Sequence, residues 1–262
     1  MTTRTGKRKR WLVGVALLCA VAVAAAVVLI RQLQREWQTT TLDVQAGWRA
    51  SQVYAAADEA LSVPEGTTEK AALRAGRKGQ LKLPASAKGN PEGYLYPSTY
   101  TVKPETTPTA LVKSMTRTAR ERYAAAGTPD YETLTIASLI QAEADNPEDM
   151  AKVSRVIQNR LDRDMPLQMD STINYALKRS TLNTSHADTR VNSPYNTYRH
   201  KGLPPSPIGN PGADALKAAQ HPAPGNWLYF VTVKPGDTRF TNDYEQHKKW
   251  VEEFNEEQAN GA

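Results

Sequence analysis

Trp11 to Ile30 is a run of twenty residues without a charged side chain, and it limits the chain more than any other feature. At about 1.5 Å of rise per residue, a helix of that length covers a hydrocarbon core of about 30 Å. The run therefore predicts one transmembrane helix. Arg4, Lys7, Arg8, Lys9 and Arg10 precede it, and an excess of basic residues marks the cytoplasmic flank of a span. Residues 1–10 are then a cytoplasmic tail, 11–30 the anchor, and everything after Ile30 lies outside the cytoplasm. A cleaved signal peptide is the competing reading, suggested by the small residues between Val21 and Ala26, but its apolar core is usually about 7–15 residues long. A lipid-attachment site at Cys19 is disfavoured, because Leu17-Leu18 precede it and apolar residues continue past it.

Cys19 is the sole cysteine. Beyond the anchor, disulfides, thiol catalysis and cysteine-ligated metal are thereby excluded, and stability has to come from an ordinary core. Residues 31–262 are enough for one or two domains with a hydrophobic interior. The net charge of +6 suggests nucleic acid at first sight. Nearly all of that excess sits in the five basic residues before the anchor, so no polyanion-binding stripe remains.

The exported part reads as α+β, mainly helical, with a small sheet at each end of the sequence. Residues 31–90 form a stalk and a small lobe: Thr41–Val44 alternates as a strand and Arg49–Leu61 reads as a helix. Glu65–Asn90 is rich in Ala, Lys, Gly and Pro with few large apolar groups, which predicts mobility in part of it. Residues 91–257 form the larger domain. Its first segment, Pro91 to Tyr100, packs three tyrosines between Gly and Pro, and such rings pack a loop or line a groove. Helices are expected over Thr109–Ala126, from Asp130 to before Pro147, and over Met150–Leu161. A short helix follows, capped by Asp170 or Ser171. Asn210-Pro211 reads as the cap and first position of another helix running to Gln220. Trp227–Val233 and the turn at Pro235-Gly236-Asp237 predict a hairpin, ahead of a last helix over Asn242–Asn255.

Glu143 is the residue that asks for an explanation. Helical spacing places Ile136, Leu139 and Ile140 on its face. A carboxyl held on an apolar stripe is desolvated, keeps its proton to higher pH, and can donate it near neutrality. The alternative is a buried ion pair with Arg155 or Arg160 on the next helix. The four histidines show no ligand spacing, and there is no HExxH run, no Gly-x-Ser-x-Gly elbow and no phosphate-binding glycine loop. Neither a metal nor another cofactor is expected, which leaves carboxylate chemistry on a neutral, hydrogen-bonding substrate. The loop Ser193 to Tyr198, followed by Gly202-Leu203-Pro204-Pro205, offers ring faces and amides of the kind sugar rings favour. A packed structural loop is as good a reading of each residue taken singly.

Glu92-Gly93-Tyr94-Leu95-Tyr96-Pro97 with Thr99-Tyr100, the Ala137–Ala144 run, Asn159-Arg160-Leu161, Met165-Pro166-Leu167-Gln168 with Asp170 and Thr172, and Ser193–Pro211 together resemble the MltG (YceG-like) endolytic murein transglycosylases. The resemblance runs in order from Glu92 to Lys248. It implies a single-pass protein of the bacterial cytoplasmic membrane that cuts nascent peptidoglycan strands internally, near the peptidoglycan synthases. It implies Glu143 as the general acid and base, with release of a 1,6-anhydro-N-acetylmuramic end. Expected glycan contacts are Gln168, Asp170, Thr172, Tyr195, Asn196, Thr197, Tyr198, Asn210, Glu92 and Tyr94, of which Tyr195 and Asn196 should be replaceable without harm to the fold. Some members carry a second acid two residues before Glu143, where this chain has Gln141. Members also carry a longer LysM-like lobe, of which Thr41–Leu61 is a reduced counterpart. A catalytically silent glycan-binding scaffold for the synthases and a hydrolytic muramidase remain the two alternatives.

Overall fold

The computed structural model describes residues 25–27, 39–127, 130–179, 185 and 187–260. The expected cytoplasmic tail, the anchor apart from 25–27, and the stalk up to residue 38 lie outside the described residues. No helix among those described is long and apolar enough to cross a membrane. What is described is α+β, with two antiparallel two-stranded sheets.

Strand β1 (Thr40–Val44) turns Leu42 and Val44 inward and leaves Thr41 and Asp43 in solvent. It pairs with β2 (Ser98–Val102), Leu42 opposite Tyr100. Thus the tyrosine-rich segment, expected as a loop, ends in a strand. Helix α1 (Ala50–Ala60) packs on the sheet, and α2 (Thr67–Arg77) packs on α1. The stretch expected to be mobile is built into this layer. Buried Asp58 accepts from the amides of Gly66 (2.7 Å) and Thr68 (2.8 Å), which fixes the start of α2. Its small residues are what packing needs there, since a Cβ at Gly76 would stand 2.0 Å from the Gly89 carbonyl oxygen. Ala72, Ala75, Leu81, Leu95, Tyr100, Val102, Leu111 and Met115 complete this first core, which therefore continues well past residue 90.

Helix α3 (Pro108–Ala125), opened by Thr107 and a proline in its first turn, joins the two cores. Its Leu111, Val112 and Met115 belong to the first and its Ala119 and Tyr123 to the second. The second core surrounds α4 (Tyr131–Glu143), whose start is fixed by the Asp130 carboxylate accepting from Thr133 N–H at 2.7 Å. Leu134, Ala137, Leu139 and Ile140 are all buried, so α4 is a central helix with apolar residues around most of its girth. It packs against α5 (Pro147–Asp162), α6 (Asp170–Ala176) and α7 (Ala213–Gln220). The hairpin β3 (Tyr229–Lys234) and β4 (Asp237–Thr241) and the last helix α8 (Tyr244–Asn260) close the far side.

The expected cap of α7, Asn210, does other work. Its Oδ1 accepts from Leu95 N–H at 2.7 Å, and its Nδ2 and backbone N–H both donate to the Trp48 carbonyl, at 2.8 and 2.9 Å. The Asn210 carbonyl accepts from Gly47 N–H at 2.8 Å. One fully buried side chain thus fastens the segment before α7 to the loop before α1 and to the start of Leu95-Tyr96. Gly209 beside it has to be small, because a Cβ there would meet the Gly47 carbonyl oxygen at 2.8 Å.

Asn210→Ala leaves the Leu95 amide buried without an acceptor. That should lower the unfolding free energy of the full-length chain by about 2 kcal/mol. Chemical denaturation followed by circular dichroism measures it; an unchanged midpoint would show that this clasp is not holding the lobes.

Candidate active site

Glu143 is the last residue of α4. Ala144 is extended (φ −143°, ψ 149°), and Asn146 caps α5 by accepting from Asp149 N–H at 2.9 Å, with Pro147 in the first turn. Its side chain is half-buried. The Ser171 hydroxyl donates to its Oε1 at 2.6 Å, and the Ser171 amide is directed at the same carboxyl. Burial pushes the Glu143 carboxyl up to about 7, Asp170's charge adds to the rise, and the two Ser171 donors oppose it. The end of α4 gives a further push, since the carbonyl end of a helix disfavours an anion.

Neither expected ion-pair partner reaches Glu143. Arg155 donates to the Ala223 carbonyl at 2.6 Å. Arg160, 7% exposed, donates to the carbonyls of Leu228, Pro166 and Leu167 at 2.6, 3.2 and 2.7 Å. Its guanidinium is spent on holding the segment that leads into α6. No salt bridge among the described residues involves Glu143. The acid is therefore desolvated without a counter-charge. Gln141, two residues before the acid, accepts from Gly212 N–H at 2.9 Å and holds the loop before α7 along α4.

The rest of the site hangs on α6. Asp170 is its first residue and caps nothing; instead its Oδ1 accepts from the Tyr198 hydroxyl at 2.5 Å. Burial and that bond keep Tyr198 firmly protonated. Thr197 and Thr172 are buried fasteners: the Thr197 hydroxyl accepts from Met169 N–H at 3.0 Å and lies 2.9 Å from the Thr172 hydroxyl, which itself donates to the Met169 carbonyl at 2.6 Å. Gln168 stands exposed just ahead, in the left-handed region (φ 50°). Tyr195 packs its ring 4.8 Å from that of Tyr175, with its hydroxyl 2.7 Å from that of Ser206.

Six residues expected at the glycan surface are placed in the interior: Thr172 and Thr197, already described, with Tyr94, Asn210, Asn196 and Glu92. Tyr94 packs edge-on against Tyr123, 5.8 Å between ring centres. Asn210 is the clasp described above. Asn196 is fully buried, its Nδ2 donating to the Thr189 and Val191 carbonyls at 3.0 and 2.8 Å and its Oδ1 accepting from Tyr198 N–H at 3.0 Å. Removing it would undo the loop, contrary to the expectation that it is dispensable to the fold. Glu92, 3% exposed, accepts from Ala50 N–H at 2.9 Å and from the Tyr175 hydroxyl at 3.0 Å. Adjacent Gly93 has φ +82°, and a Cβ there would collide with Pro207 at 2.7 Å. Of the expected glycan contacts, Gln168 is thus exposed and Asp170, Tyr195 and Tyr198 are half-buried; Ser171 bonds Glu143, and Asp170 and Tyr198 lie near enough to interact with it electrostatically. Sequence reasoning took Ser171 only for a cap and passed over Tyr175; the i, i+4 spacing that puts both on one face of α6 was the available signal. Among the described residues no cluster of three or more His, Cys, Asp or Glu is placed to hold a metal ion.

A helical α+β fold with a desolvated acid that has no ion pair among the described residues and lies beside Ser171, Asp170 and Tyr198 defines a class of carboxylate-centred site. The chain belongs to the YceG-like family, whose model matches residues 22–253. It is 37% identical over 171 residues to a Bacillus subtilis protein named endolytic murein transglycosylase, covering 62% of this chain and 48% of that one. A Streptococcus pneumoniae (strain D39) protein of the same name is 36% identical over 179 residues, covering 62% and 32%. The chain thus spans about half or less of the length of these relatives. A crystal structure of a YceG-like protein from Listeria monocytogenes superposes with a TM-score of 0.70 at 29% identity, covering 80% of this chain and 75% of that one.

The electrostatics of Glu143 have a measurable consequence. A carboxyl whose pKa rises from 4.5 to about 7 on folding weakens the fold once pH exceeds the unfolded value, and the cost is complete above the folded one. Glu143→Gln should therefore stabilise the full-length chain at pH 8, by about 3 kcal/mol at ~1.4 kcal/mol per pH unit, with most of the gain gone by pH 4.5. Thermal melts across that range measure it, and a difference independent of pH would contradict the assignment.

Proposed function

We propose that the protein is a membrane-anchored endolytic lytic transglycosylase, cutting the bond from N-acetylmuramic acid to N-acetylglucosamine within peptidoglycan strands. The observation that carries the reading is a desolvated acid with no ion-pair partner among the described residues, beside the hydroxyls of Ser171 and Tyr198. Glu143, protonated, gives its proton to the bridging oxygen as positive charge develops at C1. The same carboxylate then takes the proton of the C6 hydroxyl of that muramic residue, whose oxygen closes onto C1. The bond from C1 to the bridging oxygen breaks, that from C1 to O6 forms, and no water is consumed. Asp170, held by Tyr198, supplies negative charge beside the developing cation. Gln168 and the rings of Tyr195 and Tyr198 hold the sugars, while Thr172, Thr197, Asn196 and Asn210 keep the groove in shape.

The family match, the names of the bacterial relatives and the Listeria structure support this reading. Residues 11–30 supply the anchor, which leaves the groove outside the cytoplasm and close to the synthases that make the strands. Thr41–Leu61 is the reduced counterpart of the family's LysM-like lobe. A silent scaffold is disfavoured by the lack of an ion pair at Glu143 among the described residues, since a binding protein gains nothing from a destabilising desolvated acid.

Mass spectrometry of uncrosslinked glycan strands incubated with the full-length chain tests the reaction. Anhydro-muramic ends, lighter by one water than reducing ends and absent with folded Glu143→Gln, are expected. Reducing ends would make it a muramidase, and no cleavage would leave the scaffold. The pH profile adds a second check: because Glu143 has to be protonated at the outset, kcat/KM should fall as pH rises through about 7. Ser171→Ala removes a donor that favours the ionised form, so that limb should move to higher pH while kcat drops.

A further inference from the structure

The site is anchored at one end by Ser171 on Glu143, and a second set of contacts holds the opposite end of the same short helix. Helix α6 is seven residues long, too short to hold itself, so its place is set by what grips it. Ser171 and Tyr175 share a face, one turn apart. At the Tyr175 end, the hydroxyl donates to Glu92 Oε2 at 3.0 Å, while Glu92 Oε1 accepts from Ala50 N–H, the first amide of α1, at 2.9 Å. Arg49, the residue capping α1, donates to the Asn174 carbonyl at 3.0 Å and lies 5.4 Å over the Tyr175 ring. The centre of the same ring lies 4.8 Å from that of Tyr195. A buried carboxyl of the first lobe thus grips the far end of the helix whose near end bonds the acid.

Resting on the transglycosylase reading, we propose that Glu92 is a positioning residue that acts through the Tyr175 hydroxyl and α6 to keep Ser171 against Glu143. Two features separate this from general stability. The lobes are held together independently by Asn210 on Trp48 and Leu95, so loosening the grip moves α6 rather than parting the lobes. The Tyr175 hydroxyl also contributes little to packing, since its ring contacts with Arg49 and Tyr195 survive its removal. Burial raises Glu92 to about 7 against the opposing bonds from Ala50 and Tyr175 and the charge of Arg49. Tyr175 stays protonated because burial and Glu92 hold it so, which keeps it the donor throughout.

The test compares Tyr175→Phe, Glu92→Ala and Glu92→Gln in the full-length chain, with the wild type and Glu143→Gln as references. Tyr175→Phe should melt close to the wild type yet lose about tenfold in kcat with KM little changed, as a displaced catalytic group does. Its alkaline limb should move upward, as in Ser171→Ala, because the Ser171 donors no longer sit on the acid. Glu92→Gln keeps an acceptor for Ala50 and a polar partner for Tyr175 and should recover most of the rate, whereas Glu92→Ala should not. A 13C titration of the Glu143 carboxyl gives a readout without substrate: an upward shift in Tyr175→Phe supports the proposal even where no strand is cut, a result that would sink only the transglycosylase reading. Wild-type kcat and an unmoved titration in folded Tyr175→Phe would overturn the proposal.

Discussion

Everything around the site depends on one unfavourable arrangement, a carboxyl desolvated at the carbonyl end of a buried helix with no cation among the described residues to neutralise it. Burial raises the pKa of Glu143, Asp170's charge adds to it, and only the hydroxyl and amide of Ser171 work the other way. Desolvation wins, leaving the group near the midpoint of its titration at neutral pH, where an acid that has to give and then take a proton is most useful. The nearby arginines are kept away by tasks of their own, Arg155 on Ala223 and Arg160 on three carbonyls. Had either turned to Glu143, the acid would be a permanently ionised structural group.

The fold supplies that arrangement by making α4 central. Ser138 accepts from Ile208 N–H at 3.0 Å and Gln141 from Gly212 N–H at 2.9 Å, so the loop between the tyrosines and α7 is laid along the helix. The next turn is fixed by Asn146 and Pro147, which end α4 at Glu143. The opposing wall is the short α6, gripped through Thr172 and Thr197 on one side and through Glu92 and Arg49 on the other. Two small cores joined by α3 and by Asn210 keep those grips in register.

Periodicity carried the helices well, because their apolar stripes and caps are local. Tyr131–Glu143 begins at the expected signal, Asp130, while Pro147–Asp162 begins ahead of the expected Met150, at the Asn146-Pro147 cap, and Glu143 stood out as the lone acid on its face. Strand β2 was hidden because its partner, β1, lies far away in sequence and its tyrosines fit a loop equally well. Helix α2 was hidden because alanine and glycine look like weak packing, when they are the residues that let Gly76 and Gly89 touch. The glycan contacts were read least well. A polar side chain in a loop looks the same whether it faces a sugar or is buried on backbone groups, and Asn196, Asn210, Thr172 and Thr197 are of the second kind. Deciding between these needs three-dimensional neighbours, which no spacing rule provides.

The most direct test is to titrate Glu143 itself. In full-length chain labelled with 13C at the glutamate side-chain carboxyl carbon, the resonance that disappears in Glu143→Gln should titrate near 7. A midpoint near the ordinary 4.5 would mean that the acid is solvated or paired, and would contradict the account of how this groove works.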